Sequence, residues 1–171
     1  MLSLLAVEPV LTVSEVAKIL RVLERRFALT PRGIRYYART GMVVPTGRLT
    51  KGATARATRL YALEDLALLR LVCRLHRLRV HERALWGLLV YRGDELRALL
   101  RRGSGELIVD TPGALAIGSE DPAVPPPLRL DIASLMKGLP ERVAAYRARN
   151  PKVWTGLAWM DAREAAAQVA A

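Results

Sequence analysis

The chain has one cysteine, Cys73, in 171 residues. A single thiol closes no intramolecular disulfide and builds no cysteine-rich zinc or redox motif, and it suits a reducing interior. Histidine is almost as scarce, at His76 and His81. Cys73 and His76 stand three apart and could share a ligand if they lie on one helix. No second cysteine or acidic cluster completes such a site, so the expectation is a buried thiol beside a surface histidine, with no metal and no cofactor. No apolar run approaches the roughly 20 residues needed to cross a bilayer. The apolar N-terminus, Met1 to Glu8, lacks the positive flank of a secretory signal. A soluble cytoplasmic protein without membrane contact is expected. There is no Gly-rich phosphate loop, nucleophile elbow or pair of catalytic carboxylates, which argues against an enzyme, and no internal repeat.

Acidic residues are also few, 16 against 27 lysines and arginines, leaving a net charge of +11 in a chain whose 51% hydrophobic content is otherwise that of a globular protein. The imbalance is local. Between Thr12 and Tyr61 eleven basic residues face only Glu15 and Glu24, a surplus of nine, whereas from Gly93 onward ten basic and ten acidic residues cancel. A polyanion-binding module joined to a neutral one has this distribution.

What is present centres on Thr30 to Arg39. Thr30 is a natural helix cap and Pro31 fits the first helical position, where the N–H it lacks would have no partner. At helical spacing Arg32, Arg35, Tyr36 and Arg39 share one face, while Ile34, Tyr37 and Ala38 turn to the other. Gly41 offers a stop, and Met42 to Pro45 reads as an extended exit. Upstream, Thr12 and Glu15 form a capping-box pattern ahead of Val16, Ile19 and Leu20, predicting a first helix. Arg21 to Leu29 extends it or forms a long loop. Downstream, Thr46 to Tyr61 alternates small, β-branched and cationic residues around Gly47 and Gly52, as in a two-stranded ribbon.

Ser14-Glu15-Val16-Ala17, Ile34-Arg35-Tyr36-Tyr37 with Gly41 and Pro45, then Arg59-Leu60-Tyr61 and Glu64-Asp65-Leu66 ahead of a leucine-rich helix together resemble the DNA-binding domain of the MerR family of transcription regulators. The match runs roughly from Val10 to Val90. It implies a winged helix–turn–helix entering the major groove with the Thr30 helix. Arg32, nearest the helix start, is then the candidate base reader, since an arginine can donate two hydrogen bonds to guanine. Arg35, Tyr36, Arg39 and Arg59 would position the backbone, with Ser14 and Thr30 as further contacts. Arg48, Lys51 and Arg56 on the ribbon would reach flanking phosphates or the minor groove. Tyr37 and Tyr61 are assigned to the core.

Leu63 to Leu78 predicts a strong helix with Leu68, Leu71, Leu75 and Leu78 as its stripe, Val80 to Tyr91 a second, and Asp94 to Arg102 a third or a continuation through Gly93. Relatives typically pair through one long helix here, which implies a homodimer. Past Gly103 the resemblance ends. Glu106–Asp110 and Ala114–Ile117 form a candidate hairpin across Pro112-Gly113, and the proline-rich Gly118 to Pro127 reads as a linker. Leu128 to Ile132 can add a strand, and helices follow near Ile132–Lys137 and Pro140–Arg149. The tail from Asp161 has high helix propensity. Trp86, Trp154 and Trp159 could line a pocket for an apolar effector, or simply pack in a core or interface.

The expected fold is therefore mostly α with small β elements: a winged helix–turn–helix DNA-binding domain over 1–80, linking or dimerisation helices over 81–102, and a small α+β C-terminal appendage over 103–171. The expected function is a homodimeric, sequence-specific transcription regulator on a pseudo-palindromic promoter site. Its partners would be double-stranded DNA and RNA polymerase or another protein, and its effector is unassigned. The alternative is an architectural or adaptor DNA-binding protein, excisionase-like or chromosome-anchoring, whose C-terminal part holds another protein.

Overall fold

The computed structural model describes residues 11–49, 58–109, 115–117, 129–150 and 160–161. A two-residue strand β1 (Leu11–Thr12) leads into α1 (Val13–Glu24). Glu15 reaches back over the helix start, accepting from the Thr12 N–H at 2.7 Å and from its hydroxyl at 2.9 Å. Of the stretch Arg21 to Leu29, Arg21–Glu24 extends α1 and Arg25–Phe27 forms a short 3-10 turn before Thr30. α2 (Pro31–Arg39) follows with the predicted cap: the Thr30 hydroxyl accepts from Gly33 N–H at 3.2 Å. Gly41, at a φ of 76° that an L side chain rarely adopts, turns the chain out of α2.

The ribbon is β2 (Gly47–Leu49) antiparallel to β3 (Thr58–Tyr61), with Arg48 opposite Arg59; its tip lies outside the described residues. β3 also pairs with β1, placing Leu11 opposite Tyr61. α3 (Leu63–Arg77) then carries the densest part of the core, with Leu66, Leu68, Leu69, Leu71 and Leu75 at 0–1% exposure. Leu78 is only half-buried.

The next segment forms separate helices and not one rod. Arg79, at a φ of 57°, reverses the chain after α3, and α4 occupies Glu82–Tyr91 rather than starting at Val80. Val80 instead seals the α3 terminus, its N–H donating to Leu75 O at 3.1 Å. Arg92, at φ −120°, interrupts the helix, and α5 (Gly93–Arg102) runs on separately, packed against α4. Gly103, in the left-handed conformation, closes it.

The C-terminal part is α+β as expected. β4 (Glu106–Val109) pairs with β5 (Leu115–Ile117) and with β6 (Arg129–Asp131), all antiparallel, in the order β5-β4-β6. The Pro112-Gly113 turn and the proline-rich linker lie outside the described residues. α6 (Ile132–Met136), capped by Asp131, and α7 (Leu139–Arg149), with Pro140 at its second position, complete the helices. A final strand, β7 (Met160–Asp161), pairs antiparallel with β2, giving the order β1-β3-β2-β7. The helical tail expected from Asp161 thus begins in a strand, because the outer edge of β2 offers backbone partners, and its remainder lies outside the described residues.

Leu11, Val16, Leu20, Ile34 and Tyr37 belong to the same buried apolar cluster as Leu85, Leu96, Leu107, Ile132, Leu139 and Val143. Buried ion pairs fasten these parts together. Glu24, at the end of α1, accepts from Arg70 Nε at 2.8 Å, and the Arg70 Nη1 donates to the Leu135 and Lys137 carbonyls of the α6 end at 2.7 and 3.1 Å. Arg147 of α7 donates to Glu15 at 3.1 Å. No helix among the described residues is long and apolar enough to cross a membrane.

Candidate nucleic-acid interface

α2 is anchored by one face and offers the other. Ile34 is fully buried and Tyr37 is 4% exposed, both in the cluster that holds α1, whereas Arg32, Arg35 and Arg39 are exposed. The amphipathic split predicted by helical spacing is thus physical: the apolar side fixes the helix and leaves the guanidinium groups to solvent. Thr30, Arg32, Arg35, Tyr36, Arg39 and Arg59 line one open cleft of about 1170 Å³, along with Gly33, Tyr37 and four residues that the sequence did not assign to the interface: Leu29, His76, Val80 and Glu82. α2, β3, α3 and the start of α4 therefore meet at a concave cationic surface.

The wing base is set by Asp65, fully buried in the first turn of α3. Its Oδ2 accepts from Thr46 N–H at 3.0 Å, the Thr46 hydroxyl at 2.6 Å and Ala62 N–H at 3.0 Å; Oδ1 accepts from Arg97 of α5 at 2.7 Å. One carboxylate thus ties the exit from α2, the β3–α3 junction and α5. Charge-assisted bonds in a buried setting hold such a junction rigid.

Both tyrosines of α2 are bound to side chains beyond the ribbon. The Tyr37 hydroxyl shares a 2.7 Å hydrogen bond with His76 Nε2, and burial pushes the Tyr37 phenol well above its ordinary range. The Tyr36 hydroxyl donates to Glu82 Oε1, and that bond, with burial, raises its pKa too. The Tyr36 ring meets Tyr37 edge-on, 5.5 Å between centroids, with the Arg39 guanidinium 6.0 Å from its centre. His76 is lowered by burial against the opposing pull of Glu82. Tyr61 is core as expected; its hydroxyl has no hydrogen-bond partner among the described residues, and burial raises it to about 12.

Of the remaining expected contacts, Ser14 is exposed in the first turn of α1 but does not line the cleft. Arg48 occupies β2 opposite Arg59. Lys51 and Arg56 lie outside the described residues, as do Trp154 and Trp159. Trp86 is 38% exposed on α4 and meets Tyr91 edge-on at 5.1 Å. Cys73 is fully buried, which pushes its thiol up to about 11. No group of three or more histidine, cysteine, aspartate or glutamate side chains among the described residues could hold a metal. Glu82 and His76 lie 46 and 39 residues from their tyrosine partners, so no local pattern could have found them.

A capped, cation-faced helix packed across a longer one, followed by a β ribbon, defines a winged helix–turn–helix module. Residues 11–81 match the model of the MerR HTH family regulatory protein, and this stretch is a MerR-family helix–turn–helix domain. A search of curated proteins finds no match to the chain.

Proposed function

We propose that the protein is a homodimeric, sequence-specific DNA-binding transcription regulator acting on a pseudo-palindromic promoter site. The observation that carries this reading is the convergence of Arg32, Arg35, Arg39 and Arg59 on one cleft beside the exposed face of α2. Arginines there suit both guanine edges and phosphates. In this reading 1–80 binds DNA, 81–102 links and pairs, and 103–171 receives the signal or a partner such as RNA polymerase. Arg32 reads a base, while Ser14, Thr30, Arg35, Tyr36, Arg39, Arg48, Lys51, Arg56 and Arg59 hold the backbone.

The outer face of α4 supports pairing. Arg83, Trp86, Gly87 and Val90 fall at i, i+3, i+4 and i+7, with Trp86 and Val90 38% and 39% exposed, Tyr91 alongside at 75%, and open space over Gly87. An apolar stripe with a gap at its centre lets a second helix approach closely. Light scattering at micromolar concentration is expected to give twice the 18.9 kDa chain mass, and Trp86→Glu the single mass. A monomeric wild type, free and on DNA, overturns the palindrome.

The test of function is selection of bound fragments from random and genomic DNA at moderate salt, followed by footprinting. A short inverted repeat near promoter elements is the expected result; bulk DNA without a motif would favour the architectural reading instead. Arg32→Ala should cost about 1–3 kcal/mol on the selected site and relax base preference. Equal losses on selected and random DNA would remove Arg32 from the reading role.

A further inference from the structure

Resting on the DNA-binding reading above, we propose that Tyr36 accepts a hydrogen bond from the exocyclic amine of a cytosine or adenine, and that Glu82 is the positioning residue that gives it this specificity. A phenol has one proton to donate, and a carboxylate can only accept. The Tyr36 proton is committed to Glu82, and both residues line the cleft, so the exposed phenolic oxygen offers an incoming base lone pairs alone. Phosphate oxygens are acceptors and cannot pair with it, and the Glu82 charge further disfavours a phosphate at that point. In the major groove the donors are cytosine N4 and adenine N6. Tyr36 is thereby moved from the phosphate-holding set to the base-reading set.

The ring has little freedom to escape this arrangement. It is half-buried, packed edge-on against Tyr37, flanked by the Arg39 guanidinium, and tied at its tip to the first turn of α4. Arg32 precedes it by one helical turn, so the two side chains lie on the same exposed face. Arg32 would donate to a guanine and Tyr36 accept from a neighbouring base pair, two complementary polarities on one helix face. Glu82 would otherwise be a misplaced negative charge beside four arginines.

The rival account treats Glu82 as plain repulsion, and three variants of the full-length protein separate the two in selections from randomised oligonucleotides. Wild type is expected to prefer cytosine or adenine at one position of each half-site. Tyr36→Phe, which keeps the ring and its packing, should lose that preference by roughly fivefold, the worth of one net hydrogen bond. Glu82→Gln removes the charge but keeps a carbonyl acceptor for the phenol, so it should bind all DNA more tightly and retain the preference. Glu82→Ala frees the proton and should lose the preference at that position. Matching behaviour of the two Glu82 variants, or a motif unchanged by Tyr36→Phe, overturns the inference while leaving the regulator intact. Selection of no motif by wild type overturns both.

Discussion

At the scale of single residues the interface depends on which groups are held and which are left free. His76 is held through Tyr37 in a setting that lowers its pKa below the ordinary 6.5 by burial. Near that pH the folded state binds fewer protons than the unfolded chain. The stability linked to His76 is therefore fully present above the ordinary value of 6.5 and is lost as pH falls from there through the lower folded-state value. The melting temperature should decline between about pH 7 and pH 5, and His76→Gln should flatten that decline. An identical acid slope in the variant would assign the loss to other groups. Spacing alone made the exposed arginines legible, because amphipathicity in α2 follows from 3.6 residues per turn. Which partner a tyrosine hydroxyl takes depends on how α3 and α4 fold back, and that was not legible.

At the scale of elements, most helices and strands follow from local rules. The Thr30 cap, the stop at Gly41, the acidic first turn of α3 and the three strands β4, β5 and β6 all appear where turn chemistry and apolar periodicity put them. The misses have tertiary causes. Val80 continues a plausible apolar pattern, yet packing on the end of α3 takes it out of α4. The break at Gly93 falls where the sequence offered a third helix, and the separate α5 brings Arg97 to within 2.7 Å of Asp65. The joint between α1, α3 and α6 is ionic: Glu24 and Arg70 have side chains only 5% and 9% exposed. Removing one partner of such a pair leaves a buried charge. Arg70→Ala should destabilise the protein by about 3 kcal/mol in urea unfolding, the low end for buried pairs, because Arg74 at 3.4 Å still faces Glu24. A loss below about 0.5 kcal/mol would mean that the pair is solvated in solution.

At the scale of the whole molecule, composition reported a charged part and a neutral part but not how they meet. The appended helices bury Ile132, Leu135, Leu139 and Val143 at 0–1% exposure in the cluster shared with α1 and α3. Each such side chain is worth roughly 1.5–3 kcal/mol, so together they approach the whole stability of an ordinary domain. A chain ended at Gly103 should therefore melt well below the full-length protein or fail to melt cooperatively. The full chain should show one calorimetric transition. Two separate transitions, the lower removed by truncation, would establish independent folding units.

The short strand β7 has a consequence of another kind. It covers part of the outer margin of β2, opposite Gly47 and Arg48, where backbone amides and carbonyls would otherwise be open to any extended chain. Uncovered margins of this sort recruit strands from neighbouring molecules. Shortening the protein from its C-terminus thus carries a solubility hazard distinct from any loss of fold, and charged residues added beside Arg48 are the natural remedy.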